Sequence, residues 1–263
     1  MKFIVLITLI SGVMMAQGSA FIGLIKPIYD IKLSVAVDAS VKKILLKEGD
    51  VVKKDQTIIY LNDELQSLET SRRLLIYEDN SKAESLKENL VIMKNLVEAK
   101  ERLYTKTKAV SLNDLNRLKM QYINLKSEYE IDLESKKREN IEYQIANTVL
   151  EYYKIKSPIT GIITEIKPSV GERLQTNSEI VRIVNVDVCY VELDIDSNLL
   201  DEIDKKKSVV VEVERAGKII KKKGKIEFVS VIADNASGLV RVKISFDNKD
   251  KAVLPGVTAK ITF

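Results

Sequence analysis

The residues able to do chemistry in this chain are few, and their distribution argues against a catalytic centre. Its 263 residues include no histidine, which removes the commonest acid/base near neutral pH and the commonest imidazole metal ligand. A single cysteine, Cys189, excludes an internal disulfide and a cysteine cluster for zinc. Its setting, Val-Asp-Val-Cys-Tyr-Val-Glu-Leu, is that of a thiol buried in a strand. The 38 acidic residues contain no pair singled out by its spacing. There is no glycine-rich phosphate loop, no Gly-x-Ser-x-Gly and no Walker-type lysine. The net charge of +4, without a basic motif interleaved with aromatics, gives no reason to expect nucleic acid. Two lysine runs, Lys205-Lys206-Lys207 and Lys221-Lys222-Lys223, are expected at strand edges or turns. There they serve as solvated, edge-protecting faces or touch an anionic membrane or an acidic protein face. No enzyme activity and no cofactor are expected.

The elements that position these residues follow from an internal repeat. The stretch from Leu33, LSVAVDASVKKILLKEGDVVKKDQTIIYLN, aligns without a gap under IKSPITGIITEIKPSVGERLQTNSEIVRIVN, from Ile155. The constant offset is about 122 residues. Val41 falls on Ile163, Gly49 on Gly171, Asp50 on Glu172, Ile58 on Ile180 and Leu61 on Ile183. Each half reads as short strands broken by a turn, with Gly49, Asp50, Gly161, Gly171 and Glu172 as the structural turn residues. A half of about 30 residues cannot bury its apolar face alone, so the two halves must meet.

Between them, residues 62 to 157 contain no glycine and no proline, a composition that predicts long helix. Apolar residues at 3–4 spacing mark a coiled-coil seam in two arms. The first has Leu65, Leu68, Leu75, Leu86, Leu90, Met93 and Val97; the second has Leu115, Leu118, Tyr122, Leu125, Tyr129, Tyr143 and Leu150. Arms of equal length put the turn near Lys108, and Ser111 with Asp114 fits the restart of a helix as a capping box. Each arm would extend about 70 Å.

After Val186 the pattern has period two, as in Val240, Val242, Ile244 and Phe246, and about 75 residues of short strands predict a small antiparallel barrel. Asp234-Asn235-Ala236-Ser237-Gly238 reads as a turn and Ser197 to Ile203 as a short helix. At the other end, the apolar run from Phe3 to Ile25 is either a signal peptide or an uncleaved membrane anchor. The expected fold class is therefore an elongated α+β chain. Its segments are 1–26 as signal or anchor, 27–62 plus 154–186 as a split β-sandwich, 63–153 as a helical hairpin and 187–263 as a barrel.

With these pieces in order the chain resembles the periplasmic adaptor, or membrane fusion protein, family of bacterial tripartite efflux and secretion systems. The residues that carry the resemblance are VKKILLKEGDVVKKDQTIIYLND, YYKIKSPITGIITEIKPSVGERL, Leu254-Pro255-Gly256-Val257 and the hairpin from Val229 to Asn248. The two halves are similar to lipoyl/biotinyl carrier domains that adaptors split with the helical hairpin. The resemblance implies a barrel docked on an inner-membrane transporter of the resistance-nodulation-division or ABC type. It implies a hairpin tip that meets an outer-membrane channel, copies packed into a ring or tube, and a membrane contact through the N-terminus. The tip residues would be Lys100, Arg102, Leu103, Tyr104, Lys108, Val110, Ser111 and Asn113, of which Ser111 matches the family's serine. The membrane-proximal domain of many adaptors is expected to be absent. Alternatives are an adaptor for type I protein secretion, a carrier domain with a modifiable lysine, and a structural coiled-coil envelope protein.

Overall fold

Two strands rich in β-branched residues, β1 (Ala20–Ser34) and β8 (Glu179–Asp196), form the spine of the computed structural model, which describes residues 20–202 and 208–262. They pair antiparallel from Leu24 opposite Glu192 to Ser34 opposite Glu179, with register shifts between Pro27 and Tyr29 and between Leu33 and Ser34. Proline has no N–H to give to a ladder, so an irregularity is where a strand tolerates it.

Along one length of this spine lies a sandwich of six short strands: β2 (Ala39–Ile44), β3 (Val51–Val52), β4 (Thr57–Leu61), β5 (Lys154–Lys156), β6 (Gly161–Ile166) and β7 (Arg173–Leu174). β2 pairs with β7, β3 with β6 and β4 with β5, so each half lends strands to the ladders of the other. Val41, Ile58, Ile59 and Leu61 share one core with Ile155, Ile163, Ile180 and Ile183. The hydrogen bonds repeat with the sequence. The Gly49 N–H donates to the Ile163 carbonyl at 2.8 Å, and the Gly171 N–H donates to the Val41 carbonyl at 2.8 Å. Asp55 N–H donates to Ser157 O at 2.7 Å, and Asn177 N–H to Val35 O at 2.9 Å. Each half thus satisfies the backbone of the other, which is why neither can close alone.

Along the other length, β9 (Ser208–Arg215), β10 (Lys218–Ala233), β11 (Leu239–Asp247) and β12 (Thr258–Thr262) join β1 and β8. The order β1-β12-β9-β10-β11-β8 closes on itself through the β1–β8 pairing. Closure leaves no open edge. Ile25, Val191, Val211, Ile244, Phe246 and Ile261 fill the interior.

The fold corrects the sequence reading at the N-terminus. Phe21 to Leu24 ladder with β12, and Ile25 is fully buried in the barrel. A boundary at residue 26 therefore falls inside a strand. An apolar run continuing into a buried strand cannot be divided by hydropathy alone. The expected signal or anchor lies mostly in residues 1–19, outside the described residues. Among the described residues no helix is long and apolar enough to cross a membrane. Of the lysine runs, Lys205 to Lys207 fall outside the described residues, as does Ile203. Lys221 to Lys223 lie within β10, laddered to β9, with Lys222 paired to Asp250 at 2.6 Å. Ser197–Glu202 is a 3-10 helix.

The insert forms α1 (Glu64–Glu78), α2 (Ser81–Thr107) and α3 (Leu112–Glu151). At 40 residues, α3 extends about 60 Å. The first arm, expected to be continuous, is broken. Asp79 leaves helical space (φ −70°, ψ 100°), and its carboxylate accepts from Ser81 N–H at 3.1 Å and Ser81 Oγ at 2.6 Å. Asp, Asn and Ser compete for backbone hydrogen bonds outside the helix, and Asp79-Asn80-Ser81 does so here.

Candidate functional surfaces: the hairpin and the barrel end

The hairpin turn is built by two adjacent devices. Lys108 adopts the left-handed conformation (φ 51°) and its N–H donates to Tyr104 O at 3.1 Å, ending α2. Three residues on, Ser111 Oγ accepts from Asn113 N–H at 3.2 Å and starts α3. Asp114, expected to take part in a capping box, instead pairs with Arg117 at 3.2 Å and places its charge at the positive end of the helix. The eight predicted tip residues come together at this end. Lys100 is partly covered on the seam, Arg102, Leu103 and Tyr104 occupy the last turns of α2, and Lys108, Val110 and Ser111 make the connection. Asn113 stands in the first turn of α3. The structure adds Leu112, which the sequence reading passed over, exposed at the start of α3 as Leu103 is exposed near the end of α2. Its signal was an apolar residue directly after an N-cap serine.

Behind the tip the seam changes character. From Leu86 through Val97 to Leu115 and Leu125 it is apolar. Farther back, Leu65, Leu68 and Leu75, predicted as seam, face outward. Their place is taken by Gln66 and Thr70, which both donate to Ala146 O (2.9 and 3.1 Å), and by Tyr77 stacked on Tyr143 with ring centroids 6.3 Å apart. Opposite the break, Lys136 Nζ donates to Ile76 O at 2.9 Å and to Glu139 at 2.7 Å. It thereby caps carbonyls that α1 leaves open. Asp132, 7% exposed, accepts from Lys82 Nζ at 3.0 Å through one oxygen, and its Oδ2 is buried without a partner.

The turn residues of the sandwich divide. Gly49 and Gly171 have φ of +90° and +88°, where a side chain would be strained. Asp50 and Glu172 close these turns by accepting from Lys47 N–H (2.8 Å) and Ser169 N–H (2.9 Å). Gly161 is a correction, since it opens β6 rather than a turn. A Cβ there would meet Val184 O at 2.7 Å, so glycine is required by close strand approach.

Where sandwich meets barrel, a cleft is lined by Leu24, Pro27, Ile28, Ile162, Val186 and Tyr190. Arg182 forks onto Asp30 at its rim (2.8 and 2.5 Å), and this bidentate pair holds the Asp30 carboxyl below its ordinary value. Asn248, fully buried, pins the joint: its side chain donates to Val186 O at 3.0 Å and Val253 O at 2.9 Å, and accepts from Val253 N–H at 3.0 Å. It stands in Asp-Asn-Lys-Asp-Lys, which reads as an ordinary solvated turn. Cys189 is buried in the barrel, and desolvation pushes its thiol pKa up, away from reactivity.

Comparison with known proteins follows the same lines. Residues 183–263 match the family model described as RND MFPs, beta-barrel domain. The antibiotic efflux pump periplasmic linker protein ArpA of Pseudomonas putida is 25% identical over 236 residues, 84% of this chain and 56% of that protein. The toluene efflux pump periplasmic linker protein TtgA of the same species is also 25% identical, over 84% of this chain and 54% of its own length. The chain thus spans about half the length of the curated relatives it matches. The crystal structure of MacA from Actinobacillus actinomycetemcomitans superposes with a TM-score of 0.77 at 21% identity, covering 94% of this chain and 80% of MacA. The elongated α+β fold is thus shared with MacA. The barrel is similar to that of RND membrane fusion proteins over residues 183–263.

Proposed function

We propose that this chain is a non-catalytic periplasmic adaptor that links an inner-membrane transporter, of the RND or ABC type, to an outer-membrane channel for the efflux of small molecules. The observation that carries this reading is the placement of the hairpin tip and the barrel at opposite ends of one rod. The tip offers Leu103, Val110 and Leu112 among Arg102 and Lys108, an apolar and basic end suited to a protein surface. The barrel faces the transporter. The N-terminal apolar segment holds the chain at the inner membrane. Copies pack side by side through outward helix faces such as the Leu65, Leu68 and Leu75 stripe on α1.

The test is cross-linking in whole cells from Asn113→Cys, an exposed position in the first turn of α3. The native Cys189 is buried and does not compete. The expected product contains an outer-membrane channel protein identified by mass spectrometry. A product set from this position without any envelope channel would remove the proposal.

A further inference from the structure

Strand β10 carries a device that the barrel does not need. Val229 stands opposite Val242 and Ala233 opposite Val240, so β10 spends two extra residues over this interval. The excess bulges outward and is held in shape by Ser230, whose Oγ donates to Ile232 O at 2.7 Å and accepts from Ile232 N–H at 3.2 Å. At its apex Val231 is 98% exposed and Ile232 73%, with Phe228 half-exposed beside them. Two β-branched residues on a stapled bulge are costly to leave in water, and such bulges commonly re-aim side chains for a purpose.

The register locates this bulge. β8 enters the barrel from the sandwich and ends at Asp196, opposite Leu239, so the β10–β11 connection lies at the barrel end away from the sandwich and hairpin. Ala20 pairs with Thr262, and Thr262 with Val210 near the start of β9, so β1 begins at that same end. The preceding 19 residues, with the run Phe3-Ile4-Val5-Leu6-Ile7, therefore join the barrel there. Around the barrel β10 is three strands from β1 in either direction, so the bulge and the chain's entry lie across the barrel mouth from each other.

We infer that the Val231–Ile232 bulge is an apolar wedge that enters the surface of the lipid bilayer in which the N-terminal segment is anchored. This rests on the anchoring proposed above. A rod tethered at one side of its end is free to tilt; a second contact across the mouth holds it upright. The adjoining charges fit uncharged lipid. Asp194 pairs with Arg241 at 3.7 Å, and Asp234 is taken up by Ala236 N–H, Ser237 N–H and the Ser237 hydroxyl, so among the described residues no basic cluster stands at the bulge for anionic headgroups.

The chain has no tryptophan, so Val231→Trp introduces a sole tryptophan, excited selectively at wavelengths tyrosine does not absorb, at a position too exposed to disturb packing. The full chain is incorporated into phosphatidylcholine vesicles containing brominated lipid and no other protein. Ile219→Trp, exposed near the opposite end of β10, is the control. The expected result is that both variants float with the vesicles and that only the Val231→Trp emission shifts to the blue and loses most of its intensity to bromine. Flotation with equal, unquenched emission from both variants overturns the wedge and leaves the anchor standing. A chain that does not float overturns the anchor, and the wedge with it.

Discussion

The two lengths of the hairpin hold their helices together by different physics. In the outer length, α2 and α3 bury Leu86, Val97 and Leu115 in a dry seam. In the inner length, α1 and α3 meet through Gln66, Thr70, Arg73 and Tyr77 against Glu142, Tyr143 and Ala146. The apolar residues of α1 have coiled-coil spacing, yet Leu65, Leu68 and Leu75 point away from α3. The comparison teaches that periodicity announces a helix with a sticky face but does not say which neighbour covers it. In the inner length the sticky face is left for another surface, and polar groups, which demand particular partners, set the register.

The largest expected effect sets both lengths against the β modules. Ile183→Ala, in the fully buried sandwich core, should cost about 2–5 kcal/mol. It should lower the urea midpoint of the β-sheet signal while leaving the helical tip intact. Leu115→Ala should cost the outer seam about 2 kcal/mol, read as faster amide exchange confined to α2 and α3 near the turn. Its counterpart Leu65→Ala, 84% exposed, should change stability by no more than about 0.5 kcal/mol. An equal cost for the two would erase the contrast in phase. At the border of the two lengths, Asp132→Leu should stabilise the hairpin by about 1 kcal/mol, because it removes a buried oxygen without a partner while Lys82 remains free to reach water. Thermal unfolding of the helical signal checks this, and a loss of stability would show that Asp132 is worth more than its orphan oxygen costs.

The smallest effect is electrostatic and belongs to the inner length. Hydrogen bonds from Arg72 and Arg73 hold Glu69 well down, to about 2 from 4.5, and Arg73 also reaches Glu142 on α3. A carboxylate with a depressed folded pKa stabilises the fold above its unfolded value and loses that contribution as the pH falls through its folded one. Between about pH 4.5 and 2 the inner length should therefore loosen before the outer one, visible as amide exchange rising first in α1. Because Glu69 lies in solvent, salt should blunt the effect. Simultaneous loosening of both lengths would mean that the polar contacts add nothing local.

How much could be read beforehand depends on whether a feature is written in neighbouring residues. The split sandwich was legible because duplication leaves a gapless trace from Leu33 and from Ile155, and because Gly49 and Gly171 stand where only glycine relaxes. The turn near Lys108 and the restart at Ser111 were legible because arm lengths must match and N-caps have a local chemistry. The break at Asp79-Asn80 was readable in principle, since three self-bonding residues stand in a row, but no glycine or proline drew attention to it. Gly161 could not be placed, because what requires it is Val184 O, on a strand that only the fold brings near.

By itself the sequence determined that two homologous β halves must meet, that a long helical hairpin must leave between them, and that a barrel follows. Local preferences and burial demands suffice for each of these. The tertiary structure alone decided that β1 and β8 run through both β modules, that α1 turns its leucines outward, and that the N-terminal entry and the Val231 bulge share one end of the barrel. Those are questions of register and phase between segments far apart in the chain. A ladder or a seam can slide with little change in local propensity, and only the sum of contacts across the assembled core selects one alignment.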